Sequence, residues 1–143
     1  AVGLAHGLNL AGDGSSVCVL MGDGECQEGS VWEAARLAGE MRLGNLLAVV
    51  DANGVQAMRK YLWWSGIHNC FQSLGWTSAM RMSNEHLPLT LNCQMGLEVG
   101  PPAACVVHTR MGFSPADADP VGWHYRVPTT DDVALAEKEL GDA

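Results

Sequence analysis

Two short turns carry residue types that can do chemistry together. One is Gly22-Asp23-Gly24; the other is Asp51-Ala52-Asn53-Gly54. The Asp23 carboxylate and the Asn53 amide oxygen are hard ligands of the kind that Mg²⁺ or Ca²⁺ prefers. Gly22 and Gly24 let the backbone come close to a phosphate, and exposed N–H groups there would add to the cation's pull. The combination points to a metal-bound diphosphate. Either turn alone reads as an ordinary turn. The two together, each closing an apolar run, favour the ligand site.

The elements that must position these residues read as strand, helix, strand. Ser16 to Met21 (SVCVLM) is a short apolar run that suits a buried strand. Helical spacing begins near Val31, with apolar positions at Val31, Ala34, Ala35 and Ala38, and Gly44 reads as the helix C-cap. Leu46 to Val50 (LLAVV) is a second buried strand. Two buried strands joined by a helix make a βαβ unit, hence a parallel sheet with a right-handed crossover. In such sheets ligands sit at the carboxyl ends of strands. Asp23 and Asn53, 30 residues apart, both fall just past a strand end and can be neighbours in space.

Composition bounds the function. The chain has 143 residues, enough for one α/β domain with a modest core. A net charge of −8 and an isoelectric point near 4.9 argue against a nucleic-acid binder, which needs basic patches. The five cysteines (18, 26, 70, 93 and 105) form no CxxC pair; Cys18 and Cys105 lie in apolar runs and read as buried thiols. A reduced, cytoplasmic setting is expected. No apolar run reaches membrane-spanning length, and no signal peptide is read at the start.

Elsewhere, Ala1 to Ala11 reads as a tightly packed helix, with Gly3 and Gly7 allowing close approach and His6 a core or interface histidine. Glu25, Glu28 and Glu33 lie in or near the first turn of the helix after Gly24, where the dipole favours negative charge. Trp32 reads as packing, and Arg36, Glu40 and Arg42 as a solvated face. Cys70 to Leu74 reads as a helical turn before a strand over Thr77 to Met82; a helix follows over Leu87 to Leu97. Ala103 to Val107 is a third buried strand with His108 and Thr109 at its carboxyl end. Thr129 or Thr130 would cap a last helix that Gly141 stops.

The 35-residue stretch GDGECQEGSVWEAARLAGEMRLGNLLAVVDANGVQ resembles, without a gap, the thiamine diphosphate fingerprint of transketolases. A second patch, His108-Thr109-Arg110-Met111-Gly112 with Asp117-Ala118-Asp119-Pro120 and Trp123-His124, is similar to that family's segment ending in Trp-His. Arg110 stands where the family usually has Lys, and Ala57 to Asn92 departs from its pattern. The resemblance implies the family's α/β fold, a parallel sheet flanked by helices, with thiamine diphosphate held through Mg²⁺ or Ca²⁺. It implies Asp23, Asn53 and the Val55 carbonyl as metal ligands. It implies Gly22, Gly24 and Glu25 as further cofactor-contacting positions, and His124 as the catalytic histidine beside the diphosphate and substrate. Glu28 and Glu33 align with acidic residues at the family's subunit interface.

The function so implied is transfer of a two-carbon ketol unit from a ketose donor to an aldehyde acceptor. Alternatives are transfer to a carrier protein, a 2-oxo-acid dehydrogenase E1-like component, and a non-catalytic scaffold subunit. Residues 1–143 read as a single, partial diphosphate-binding domain, and a shortened start is expected because the opening Ala1-Val2-Gly3 resembles text well inside the family's first domain. The glutamate that activates the aminopyrimidine belongs to a pyrimidine-binding domain outside this chain. A partner domain or subunit is therefore expected, in a homodimer or heterotetramer, without nucleic acid or membrane.

Overall fold

The computed structural model describes residues 1–56, 59–60, 64–82, 100–109 and 119–141. The elements run α1 (Val2–Leu10), β1 (Val17–Gly22), a 3₁₀ turn (Glu25–Gln27), α2 (Gly29–Glu40), β2 (Leu46–Asp51), β3 (Val55–Gln56), β4 (Arg59–Lys60), α3 (Trp64–Ser73), β5 (Thr77–Met82), β6 (Ala103–His108), α4 (Pro120–Trp123) and α5 (Thr130–Gly141). Four strands form one parallel sheet in the order β1-β2-β6-β5. β3 and β4 make a separate two-stranded antiparallel ribbon. This is the α/β fold with a parallel sheet that the sequence implies. Among the described residues no helix is long and apolar enough to cross a membrane.

β2 and β6 are central, and their near-continuous apolar text follows from burial on both faces. Alternate residues Val17, Leu46, Ala48, Val50, Ala104 and Val106 meet Ala35, Ala38, Ile67, Phe71 and Trp76 in the core. Phe71 anchors it, with ring centroids 5.4 Å from Trp32 and 4.9 Å from Trp76. Both indoles also find acceptors, Trp32 on the Cys26 carbonyl (2.7 Å) and Trp76 on the Ala35 carbonyl (2.8 Å). Asn45, buried before β2, donates to the Ala5 carbonyl at 3.0 Å and ties α1 to the sheet.

Four expectations need correction. Among the described residues β1 is the end strand of the sheet, and the side chains on one of its faces are uncovered: Cys18 is exposed and Leu20 is 72% exposed, although Cys105 is buried as expected. α1 buries only Ala5, and a Cβ added at Gly3 or Gly7 would meet no other residue within 4 Å, so close packing among the described residues does not require glycine there. α2 begins at Gly29 and ends at Glu40, before Gly44. Its terminus is a left-handed cap on Arg42 (φ 51°), with Arg42 N–H donating to Gly39 and Leu43 N–H to Ala38. α3 is a full helix of 10 residues where a single turn was expected; Gly75 (φ 83°) caps it by the same pattern.

The expected strands over Thr77 to Met82 and Ala103 to Val107 are present, as is the last helix. Thr129 accepts from Asp132 N–H while the Asp132 carboxylate accepts from Thr129, a reciprocal cap on α5. Cys93, the helix expected over Leu87 to Leu97 and the Arg110 to Gly112 segment lie outside the described residues.

Candidate functional site

The parallel register aligns Gly22 with Asp51 and Asp51 with Val107, so β1, β2 and β6 end level with one another. The turns that follow these strands therefore share one edge of the sheet. Asp23 is buried there at 6% exposure. Its N–H donates to the Asp51 carbonyl at 3.0 Å, and its Oδ2 accepts from Gly54 N–H at 2.8 Å. Thus the two turns singled out by residue type are joined directly. Gly54 sits at φ 72°, a backbone conformation that only glycine adopts without strain, and this lets the second turn aim its N–H at Asp23.

Asn53 is locked from both ends of its amide. Its Oδ1 accepts from Val55 N–H at 2.9 Å, and its Nδ2 donates to Asp51 Oδ2 at 3.3 Å. Val55 starts β3 and is buried. Gln56, next in the ribbon, accepts at Oε1 from Gln27 Nε2 (2.9 Å) and lies beside Gly24. Neither Gly22 nor Gly24 adopts a positive φ, and a Cβ on either would make only ordinary contacts. Glu25 turns its carboxylate back on the first turn, accepting from Gly22 N–H at 2.7 Å.

Burial raises the Asp23 carboxyl above its ordinary value; N–H groups from Gly54 and Gly24 oppose this, and the neighbouring Asp51 adds to it. Burial pushes the Cys26 thiol up to about 12, with Asp23 and Glu25 adding to the effect. Cys26 is therefore a protonated packing group, neither nucleophile nor thiolate ligand.

A cation fits this donor set. Asp23 offers a carboxylate oxygen, Asn53 an amide oxygen and Val55 a backbone carbonyl, all hard ligands. Among the described residues no cationic side chain pairs with Asp23 or with the neighbouring Asp51, and a divalent ion would supply that compensation. The Gln56 Nε2 atom is buried without a hydrogen-bond partner among the described residues, a donor left over beside the same turn. Among the described residues no group of three or more His, Cys, Asp or Glu could hold a metal ion, so a metal here depends on the amide and carbonyl oxygens.

His124 caps α4 at its C-terminal end and is exposed, with its ring centroid 5.5 Å from that of Tyr125. α4 packs against β3 and β4, so the histidine's element rests on the ribbon that follows Asn53. Among the described residues His124 has no hydrogen bond to Asp23 or Asn53. Arg126 stacks over the Trp123 ring at 4.3 Å and pairs with Asp132, which ties α4 to α5. Two participants were missed from residue types alone. Asp51 and Gly54 read as parts of a turn; nothing local signals that one orients the amide and the other clasps Asp23.

The chain matches the family model described as transketolase, thiamine diphosphate binding domain, over residues 9–142. It is 31% identical over 147 residues to an apulose-4-phosphate transketolase subunit of Actinobacillus succinogenes, across 99% of this chain and 53% of that protein. It is 41% identical over 56 residues to the 6-deoxy-6-sulfo-D-fructose transketolase subunit SqwG of a Clostridium species, across 39% of this chain and 20% of that protein. The chain spans about half the length of the first of these relatives, and less of the other. In fold, it superposes on transketolase from Campylobacter jejuni with a TM-score of 0.61 at 22% identity, covering 76% of this chain and 18% of that one. With both turns clasped at one sheet edge and the family pattern running through nearly all of its length, the chain belongs to the transketolase family, in its thiamine diphosphate-binding domain.

Proposed function

We propose that this chain is the diphosphate-anchoring part of a transketolase-like subunit, dependent on thiamine diphosphate and Mg²⁺, that moves a two-carbon ketol unit from a ketose donor to an aldehyde acceptor. The single observation that carries this reading is the clasp between Asp23 Oδ2 and Gly54 N–H, which holds a buried carboxylate beside Asn53 at the sheet edge. In this reading Asp23, Asn53 and the Val55 carbonyl hold Mg²⁺. Gly22, Gly24 and Glu25 form the wall facing the diphosphate. When bound, the cofactor supplies the electron sink that breaking a carbon–carbon bond beside a carbonyl requires.

The protein's own contribution is anchoring. A rigid set of oxygens fixes the metal, and the metal's charge offsets both the diphosphate and the Asp23–Asp51 pair. His124, on the α4 end that leans on the ribbon, would support the diphosphate and hold a proton near the reacting end. The activating glutamate and the groups that choose the sugar belong to a pyrimidine-binding partner, in a dimeric or heterotetrameric assembly. Relatives whose names mark them as single subunits of a transketolase support that division of labour. A cytoplasmic location goes with this soluble-enzyme chemistry.

Calorimetric titration of thiamine diphosphate with Mg²⁺ tests the proposal, first into this chain and then into its mixture with a pyrimidine-domain partner. Binding in the mixture, lost in Asp23→Ala, is the expected result. A folded chain that binds nothing in either case would sink the proposal and leave a scaffold role.

A further inference from the structure

We propose that Asp51 is a positioning residue for the metal site: its carboxylate holds the Asn53 amide so that the oxygen, not the nitrogen, faces the cation. This rests on the reading of Asn53 as a metal ligand. An asparagine amide has two prongs of opposite character, and a half-turn about its last torsion would aim a donor at the metal. Here each prong is held by a different group. Val55 N–H holds Oδ1 at 2.9 Å, leaving that oxygen's second lone pair for a ligand, and Asp51 Oδ2 accepts from Nδ2 at 3.3 Å.

Asp51 is itself held from two further strand ends. Its Oδ1 accepts from the Thr109 hydroxyl just past β6. Its backbone carbonyl accepts from Asp23 N–H just past β1. One residue at the end of the central strand β2 therefore links the carboxylate ligand, the amide ligand and the neighbouring strand. Asp51 need not touch the cation to act. Groups behind metal ligands commonly change affinity by about 10–100-fold when they are removed.

The variants separate orientation from charge. In Asp51→Asn the new amide keeps an oxygen for Asn53 Nδ2, and its NH₂ can donate to Thr109, whose hydroxyl rotates to accept. In Asp51→Leu both bonds are lost. Mg²⁺ affinity in the presence of thiamine diphosphate is measured calorimetrically on the chain with its pyrimidine-binding partner, alongside melting temperature. The Asn53 side-chain NH₂ exchange rate is followed by NMR in the chain without cofactor. The expected result is about a 10–100-fold loss of Mg²⁺ affinity in Asp51→Leu, faster Asn53 NH₂ exchange, and rescue of both in Asp51→Asn. Asp51→Leu binding Mg²⁺ like the parent, or Asp51→Asn failing as badly as Asp51→Leu, would overturn the proposal. A parent protein that shows no Mg²⁺ binding at all would overturn the metal-site reading itself. In that event unchanged NH₂ exchange in Asp51→Leu would reject the orienting bond separately.

Discussion

Asp23 and Asp132 respond to pH in opposite directions. Burial raises the Asp23 carboxyl above the ordinary 3.8, so the folded chain holds that proton more tightly than the unfolded chain does. The metal-free chain therefore loses stability as pH rises through the raised value, and gains it as pH falls. Asp23→Asn should raise the melting temperature of the metal-free chain at neutral pH and remove any further rise on adding Mg²⁺ and thiamine diphosphate, both read by scanning calorimetry. Asp132 is depressed to about 2, chiefly by the Thr129 hydroxyl and N–H, with Arg126 assisting. Its contribution is present above 3.8 and lost as pH falls towards about 2. Amide exchange in α5 should accelerate over that window in the parent and be fast already at neutral pH in Asp132→Ala. Residue types alone singled out Asp23 and Asn53 as candidate ligands, because hard oxygen donors are recognisable by chemistry. They did not pick out Asp51, whose carboxylate meets Asn53 two residues on and Thr109 past another strand, contacts that residue type alone does not signal.

The elements follow local pattern except where packing overrides it. Gly44 looks like the stop of α2, yet the chain turns two residues earlier because Leu43, at 2% exposure, is drawn into the core. The left-handed position then falls on Arg42, at a steric cost that glycine avoids. Arg42→Gly should stabilise the chain by about 0.5–1 kcal/mol in urea unfolding. Gly39 faces the opposite constraint. A Cβ there would lie 1.9 Å from the Leu74 carbonyl oxygen, against backbone that cannot step aside. Gly39→Ala should therefore destabilise by about 1–3 kcal/mol. A Cβ added at Gly7 would meet no other described residue within 4 Å, so Gly7→Ala should gain up to about 1 kcal/mol from helix propensity. The same denaturation series measures all three.

At the scale of the molecule, the sheet has an open edge. Among the described residues β1 pairs only with β2, and Leu20 and Cys18 stand exposed on one of its faces. Such an edge favours association. Leu20→Lys should reduce self-association of the chain at high concentration, measured by sedimentation velocity, without lowering its melting temperature.

The sequence by itself determined the βαβ unit, the parallel sense of β1 and β2, and the meeting of the turn that carries Asp23 with the turn that carries Asn53. Apolar runs, turn residues and ligand chemistry are local properties that amino-acid text carries directly. Only the tertiary structure decided that β6 lies between β2 and β5, that β1 is an edge, and that Thr109 reaches Asp51 across 58 positions of chain. Strand order is set by long-range pairing and by which faces are left to solvent, and no window of residues records either.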